Sequence, residues 1–202
     1  MMATSQTSFS VKRPPKKPTN TERRSREYLT PHEVDQVIAA ARKAGRHSNR
    51  DAALILVMYR HGLRVAEVVS LRWDAVNLRE GLLHVHRIKN GEPAIHPLRG
   101  PEIRALRQLR RNYPHTPYLF VSERGGPLTD RAVRHIVLRA GEGAGLTFPI
   151  HPHMLRHACG FYLANKGIDT RAIQQYLGHR NIQHTVRYTS LTPHRFTDFW
   201  HD

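Results

Sequence analysis

The stretch HPHMLRHACGFYLANKGIDTRAIQQYLGHRNIQHTVRYT, residues 151–189, decides the fold. Glycines interrupt it at intervals that fit short helices, and an acidic residue stands where it can cap one of them. We therefore predict one helix over 153–165, a second helix that Asp169 caps and Gly178 ends, and a last short helix before the letters VRYT. Histidine and arginine side chains crowd the start of this stretch, so it also poses the question of what they bind.

Upstream of this stretch the sequence predicts further helices. Thr30 can cap a first helix, because a proline and a glutamate follow it at the positions of a capping box. A more apolar helix covers roughly 50–61 and stops at Gly62, and a short helix begins near Val65. Arg64 is therefore expected at a junction between two helices.

The middle of the chain predicts one β-hairpin followed by helices. Alternating residues over 78–98 flank the turn letters KNGEP, and this turn carries Lys89. Helices are expected near 101–111 and near 129–140, with the letters YLFV as a short strand between them. The predicted fold class is mixed α/β and mainly α-helical, with a small antiparallel β-hairpin sheet.

The charge of the chain points to a polyanionic partner. Lys and Arg total 32 against 16 for Asp and Glu among 202 residues, which gives a net charge of +16. Nucleic acid is the first candidate partner, and an acidic membrane surface is the second. Residues 1–27 combine basic residues with Ser, Thr and Pro and have little to bury, so we predict a flexible basic arm there and one domain over 28–202.

Cysteine use and hydrophobicity indicate a cytoplasmic protein. Cys159 is the only cysteine, which excludes an internal disulfide and a multi-cysteine zinc site and suits a reducing compartment. The longest apolar run, AALILVMY at 52–59, is too short to span a bilayer, and the N-terminus lacks the pattern of a secretory signal. We therefore expect a soluble protein that does not span a membrane.

The histidine cluster allows three interpretations. His153 and His157 stand four residues apart, a spacing that could place two imidazoles on one metal ion. Arg156 lies between them, no carboxylate ligand is near in sequence, and the general-base Glu of the two-histidine zinc motif is absent, which disfavours a metal site. The residues could also be ordinary helix-start residues that bond backbone groups. In the third interpretation His153 and Arg156 share a helix face and donate to one anion, such as a phosphate.

Other parts of the chain supply matching donors and a nucleophile. Arg64 follows one glycine-ended helix, His179 in the letters LGH follows another, and Tyr188 comes nine residues after that histidine. The ordered combination HxxR, LGH and tyrosine resembles the tyrosine recombinases, the integrase family of site-specific DNA strand-exchange enzymes. The resemblance covers about 28–200, and within the family it is most similar to the short fimbrial phase-variation invertases.

The resemblance implies a function, a mechanism and a set of site residues. The protein would cut and rejoin DNA strands through a covalent 3′-phosphotyrosine, in DNA inversion or in integration and excision. Tyr188 would be the nucleophile, His153 its base, and Lys89 the acid that protonates the leaving oxygen. No cofactor or metal is implied. The implied catalytic positions are Arg64, Lys89, His153, Arg156, His179 and Tyr188, with Glu67 in support.

The other notable residues have simpler interpretations. His157 is expected only to support the helix, and Cys159 is expected to be a small buried residue.

A phenol with its ordinary pKa of about 10 is a weak nucleophile, so the tyrosine must lose its proton as it attacks. Two arginines and the imidazoles would balance the charge that grows on the phosphate.

The partners implied by the resemblance are double-stranded DNA with specific recombination sites and further copies of this chain. Most family members carry an N-terminal helical domain that clamps the DNA, and the 27 residues at this N-terminus cannot build one. We therefore expect a homotetramer on DNA that bridges two sites. The letters LTPHRFTDFW, 191–200, would pack on a neighbouring copy, and accessory DNA-bending proteins could assist.

Three rival functions remain at this point. A type IB topoisomerase shares the phosphotyrosine chemistry but only relaxes supercoils, and the short chain and the LGH motif disfavour it. A DNA-binding regulator could keep the fold without catalysis, but such a protein would lack some of the catalytic residues. A zinc hydrolase that uses the clustered histidines ranks last.

Overall fold

A computed structural model describes residues 26–88 and 93–190. This part of the chain is mainly helical, with three short strands and a 3-10 turn at Trp73–Ala75. The helices are α1 (Pro31–Lys43), α2 (Ser48–His61), α3 (Val65–Val69), α4 (Gly100–Asn112), α5 (Asp130–Gly143), α6 (Pro152–Asn165), α7 (Thr170–Leu177) and α8 (Gln183–Ser190). The strands are β1 (Val76–Asn77), β2 (Leu82–Val85) and β3 (Ala94–Pro97).

Local signals set the helix ends that the sequence predicts. The Thr30 hydroxyl accepts the backbone N–H of Glu33, and the Glu33 carboxylate accepts the backbone N–H of Thr30, so α1 begins with a complete capping box. Gly62 and Gly178 end α2 and α7 with φ of 56° and 64°, in the left-handed region that favours glycine. These two glycines allow the chain to turn sharply at both places.

Helix α2 is the centre of the main hydrophobic core. Residues 52–58 are all buried, and α1, α4 and α6 pack against this helix. Helix α5 packs against α1, α3 and α6. Because α2 is surrounded by other helices, the chain that leaves its C-terminus is fixed in position. No helix in 26–88 or 93–190 is both long and apolar enough to cross a membrane.

A second, smaller hydrophobic cluster lies beneath α6, α7 and α8. It consists of buried side chains from these three helices: Cys159, Ala164, Ile173, Leu177 and Tyr188. We call this group the satellite core.

The three strands form one antiparallel sheet in the order β1–β2–β3. Leu82 pairs with Pro97 and Val85 with Ala94, which confirms the predicted hairpin. Side chains alternate along β2, with Leu83 and Val85 buried and the residue between them exposed. The turn of the hairpin, 89–92, lies outside the described residues, and so does the predicted site residue Lys89.

Two local predictions are wrong. The letters YLFV, 118–121, form no strand, because they make only isolated bridges, Arg72 to Tyr118 and Val121 to Pro127, instead of a continuous ladder. The letters VRYT lie inside α8 instead of after it. The side chain of Asn181 accepts the backbone N–H of Gln183 at 2.9 Å, which starts this helix early, and no glycine or proline interrupts it before its end.

Candidate active site

The described site residues converge around the C-terminal ends of α2 and α7. Arg64 caps α3 directly after α2, Arg156 lies on α6, and His179 follows the glycine that ends α7. The charges of Arg64 and Arg156 both act on the pKa values of the neighbouring histidines and of the tyrosine on α8. The residues brought together are Arg64, Glu67, His153, Arg156, His179 and Tyr188.

Glu67 orients the first arginine. The Glu67 carboxylate accepts the Arg64 guanidinium at 2.7 Å and the Arg64 backbone N–H at 2.8 Å. Glu67 is 3% exposed, whereas the Arg64 side chain keeps 30% of its surface open to solvent. The arginine is therefore held from below and presents its outer face to a ligand.

The Glu67 carboxyl is ionised at neutral pH. Burial raises its pKa, but the hydrogen bond from the Arg64 backbone and the charges of Arg87 and Arg64 outweigh burial, and the pKa lies below its ordinary value. The buried Glu67 carboxylate thus forms ion pairs with two arginines, Arg64 and Arg87.

Arg87 is a part of the site that the sequence analysis missed. Its Nη1 donates to Glu67 at 2.9 Å, and its side chain is fully buried. A sequence signal was present, because Leu83, Val85 and Arg87 alternate along one strand direction and all point inward. An arginine that continues a buried strand face indicates a buried ion pair.

Arg156 is almost completely buried, with 1% of its surface exposed. Its two Nη atoms donate to the backbone carbonyls of Gly62 and Leu177, the latter at 2.7 Å. Burial and the charge of Arg64 lower the pKa of Arg156 to about 10, so the guanidinium remains charged at neutral pH. The result is a fixed positive charge under the open face of the site.

His179 is held in a neutral state by its surroundings. Burial, followed by the charges of Arg156 and Arg64, lowers its pKa to about 3. Its Nδ1 lies 2.8 Å from the hydroxyl of Thr185, a fully buried residue on α8. When that hydroxyl donates to Nδ1, Nε2 carries the proton and can donate to a phosphate oxygen. The sequence analysis missed Thr185, because it placed the letters VRYT after the last helix and so did not put Thr185 and Tyr188 on one helix.

The Tyr188 ring occupies space that is available only because residue 160 is a glycine. Tyr188 is 1% exposed, and its ring packs across that of Phe161 with centroids 5.1 Å apart. A Cβ atom at Gly160 would lie 2.5 to 2.7 Å from three ring atoms of Tyr188, which is too close for any other residue type. Gly160, on α6, therefore lets the Tyr188 ring of α8 pack directly against the α6 backbone.

The hydroxyl of Tyr188 contacts His157, which we expected only to support the helix. The distance from His157 Nδ1 to the hydroxyl oxygen is 2.9 Å. Burial and the nearby His153 lower the pKa of His157 to about 3. Burial raises the pKa of Tyr188, against the charges of Arg156 and Arg187. Both partners of this hydrogen bond are thus neutral at pH 7.

His153 lies on the open side of the site. It is exposed, and its ring packs edge-on against that of His157 with centroids 4.4 Å apart. Partial desolvation and the charge of Arg156 lower its pKa. The two histidines of the metal interpretation therefore meet ring to ring. Within 26–88 and 93–190, no three His, Cys, Asp or Glu side chains are grouped to hold a metal ion.

Comparison with known proteins gives the same family as the motifs. A model of the phage integrase family matches residues 27–195. The type 1 fimbriae regulatory protein FimE of Escherichia coli strain K12 is 45% identical over 181 residues, which cover 87% of this chain and 91% of FimE. FimB of the same strain is 43% identical over 182 residues, which cover 88% of this chain and 90% of FimB.

The fold also matches a solved structure. The crystal structure of XerA recombinase superposes with a TM-score of 0.73 at 29% sequence identity. The match covers 83% of this chain and 61% of the XerA chain, so this chain spans less than two thirds of that recombinase. The mainly helical fold with a small antiparallel sheet is therefore that of a recombinase catalytic domain.

Proposed function

Because this chain belongs to the phage integrase family and is a tyrosine-type site-specific recombinase, we propose that Tyr188 is the nucleophile that cuts DNA. Its oxygen would attack a phosphodiester to form a 3′-phosphotyrosine, and the 5′ oxygen would leave. A 5′ hydroxyl from another duplex would then attack that ester and release the tyrosine. The ester retains the energy of the original bond, so the cycle balances without ATP or another cofactor.

The observation that carries this proposal is the position of two arginines beside the tyrosine. The positive charges of Arg156 and Arg64 both act to lower the pKa of Tyr188 against burial. The same charges would balance the negative charge that grows on the phosphate as the fifth oxygen approaches phosphorus. His179 would add a hydrogen bond from Nε2 to a phosphate oxygen.

We propose that His153 is the base that accepts the proton of the Tyr188 hydroxyl. His157 touches the hydroxyl, but an imidazole with a pKa of about 3 is a poor proton acceptor at neutral pH. His153 is exposed, and DNA bound on the open side would meet it directly. In this assignment His157 holds the hydroxyl in the DNA-free protein, and His153 receives the proton when the tyrosine turns to the phosphate.

Lys89 is proposed as the general acid for the leaving 5′ oxygen. The assignment comes from the resemblance to the family, since this lysine lies outside the described residues. The strands that flank its turn are described, and the chain continues from the buried Val85 at the end of β2 to the buried Arg87. A lysine two residues beyond Arg87 is near enough in the chain to reach a phosphate held at Arg64.

We propose DNA inversion as the reaction outcome, with integration and excision as the alternative. Similarity to FimB and FimE extends over about nine tenths of both chains and supports this choice. A recombinase that regulates fimbriae can do so by reversing a DNA segment. Such a protein would act in the cytoplasm, where its DNA substrate lies.

Two terminal segments receive proposed roles from the sequence. The basic arm over 1–27 would contact DNA backbone phosphates, which adds affinity that falls with salt but little sequence information. The segment 191–202 would pack on a neighbouring copy in a tetramer that bridges two sites, with accessory DNA-bending proteins as further partners. Deletion of 191–202 should abolish assembly and leave monomer binding; unchanged assembly would refute the proposed role of this segment.

The function is tested by covalent capture. The protein would be incubated in EDTA with nicked duplexes that carry a randomised centre, and protein-linked DNA would be isolated under denaturing conditions and sequenced. Wild type and the control Tyr162→Phe, an exposed tyrosine on α6, should both capture DNA, and Tyr188→Phe should capture none. Capture by Tyr188→Phe would refute the nucleophile. DNA binding without capture by wild type would favour a regulator. In a parallel assay, relaxation of a supercoiled plasmid at no specific site would favour a topoisomerase.

A further inference from the structure

Arg87 joins three separate elements of the site. Its guanidinium donates to the Glu67 carboxylate on α3 at 2.9 Å and to the His61 carbonyl at the end of α2 at 3.2 Å. It also donates to the carbonyl of Tyr176 on α7. The side chain is fully buried, so it cannot itself be a phosphate ligand on the open face.

Arg87 and Arg156 bind neighbouring carbonyls on the same two helix ends. Arg87 takes the carbonyls of His61 and Tyr176, and Arg156 takes those of the next residues, Gly62 and Leu177. Both helix ends carry partial negative charge, which would repel without cations between them. The two arginines therefore fix the end of α2, which leads to Arg64, relative to the end of α7, which leads to His179.

The packing around Arg87 is specific for arginine. A Cβ atom at Gly178 would lie 2.7 to 2.9 Å from Cγ, Cδ and Nε of Arg87, so this glycine is needed for its small size as well as its left-handed backbone. Three acceptors on different elements require a forked, planar donor group. A lysine offers a single nitrogen and cannot span them.

We propose that Arg87 is a positioning residue for strand cleavage, acting through Glu67 on Arg64 and through the end of α7 on His179. This inference rests on the phosphate-binding roles proposed above for these residues. Glu67 is buried and ionised, and Arg87 balances part of its charge. Without Arg87, the carboxylate would draw the Arg64 guanidinium inward and away from the phosphate.

The test compares two substrates and two arginine variants. Arg87→Met removes the charge but keeps a long side chain, and Arg50→Met is the matched control. Arg50 is also buried, with bonds to Asp51 and to the Val121 carbonyl at 2.8 Å each, but these partners lie away from the site. Each variant would receive nicked DNA with an ordinary scissile phosphate or with a methylphosphonate there, which carries one negative charge less. The readout is the rate of covalent complex formation.

A positioning role predicts substrate dependence. Arg87→Met should slow capture on the ordinary phosphate by roughly 10- to 100-fold, by analogy with the loss when residues that orient metal ligands are removed. The loss should shrink on the methylphosphonate, because less charge then needs balancing. It should also shrink in an Arg64→Ala background, because Arg87 acts through that residue. Arg50→Met should change both substrates by the same factor.

The contrary results are distinct. An equal loss on both substrates, additive with Arg64→Ala, would reduce Arg87 to a structural residue, and unchanged capture by Arg87→Met would also overturn the inference. If the methionine variant fails to fold, Arg87→Lys replaces it; this variant keeps the charge but cannot reach all three acceptors, so a smaller loss that again shrinks on the methylphosphonate is expected. If wild type captures no DNA at all, the proposed function fails first, whatever the Arg87 variants do.

Discussion

The hydroxyl oxygen of Tyr188 lies 2.9 Å from Nδ1 of His157, one helix away and under the surface. The contact joins α8 to α6 and keeps the phenol inside the protein. His153 sits on the outer side of His157, with the two rings edge to face. The DNA-free protein thus holds the proposed nucleophile against one histidine and exposes a second histidine to solvent.

The two histidines should differ in their effects on catalysis. His153→Ala should slow covalent capture by about 100-fold or more, the usual effect of losing a general base. His157→Ala should mainly lower stability, because it removes a buried hydrogen bond partner and leaves a void. Capture rates between pH 5 and 8, measured beside urea unfolding, separate these effects. A larger catalytic loss in a folded His157→Ala would transfer the role of base to that residue.

Gly160→Ala should disturb the tyrosine directly. The new methyl group would overlap the Tyr188 ring, and such overpacking costs about 1 to 3 kcal/mol. Gly143→Ala on α5 is the matched control, since its nearest contact, Ala40 Cβ, lies 3.5 Å away. Urea unfolding should show a loss for the first variant only, with a parallel loss of covalent capture. Equal stability of the two variants would contradict the close packing of the Tyr188 ring against Gly160.

Glu67→Gln should be strongly destabilising. The change leaves the buried Arg87 without its counter-charge, and breaking a buried ion pair from one side costs about 3 to 5 kcal/mol. Glu142→Gln, at an exposed position on α5, provides the control and should change stability little. The free energies of unfolding come from urea titrations at pH 7. A cost for Glu67→Gln as small as that of the control would show that Glu67 does not balance Arg87.

The fold should lose stability as pH falls below 6.5. Burial lowers the pKa values of His96, His157 and His179 from 6.5 to about 3, so the unfolded chain binds more protons between these values. Stability therefore decreases with acidification across this window, by at most about 1.4 kcal/mol per histidine at one pH unit below 6.5. Urea unfolding at pH 7.5 and 5.5 measures the change. Removing one group, as in His96→Gln, should flatten the dependence; an unchanged slope would argue against that residue.

Lys89→Ala should be rescued by a better leaving group. The variant should slow cleavage of ordinary DNA by about 100-fold or more, as expected for loss of a general acid. A substrate with sulfur in place of the 5′ bridging oxygen needs no proton on departure, so the variant should cleave it nearly as fast as wild type does. Arg64→Ala is the comparison and should stay slow on both substrates. A defect of Lys89→Ala on the sulfur substrate would exclude the acid role.

Sequence reasoning succeeded where the information was local. Thr30 with Glu33 began a helix, Gly62 and Gly178 ended two others, and alternation revealed the hairpin. The capping and helix-ending signals act within four or five residues of chain, and the hairpin pairs residues such as Leu82 and Pro97 that are only 15 positions apart. The family motifs predicted the site residues in addition, because the order and spacing of these motifs are characteristic, and the catalytic roles of these residues stay predictions.

The missed features depend on contacts between distant parts of the chain. The partners of Arg87 are 20 to 89 residues away, and the partner of His157 is 31 residues away. Spacing on one helix cannot show which face will meet α8. The letters YLFV have a strand-like composition, but their neighbours in space offered only single bridges. Tertiary packing decided each of these cases.

Tyr188 is part of the satellite core, where it packs with Ile173 and Leu177. A residue that fills a core is shielded by the same contacts that make it structural. A motion that moves the Tyr188 phenol from the satellite core to the surface would leave a void beneath α6. Greater exposure of the phenol would therefore lower the local stability of the protein. Variants with looser packing in the satellite core would expose the proposed nucleophile more often but would position it less precisely. The proposed nucleophile would therefore be latent without DNA because of its packing, with no need for a separate inhibitor.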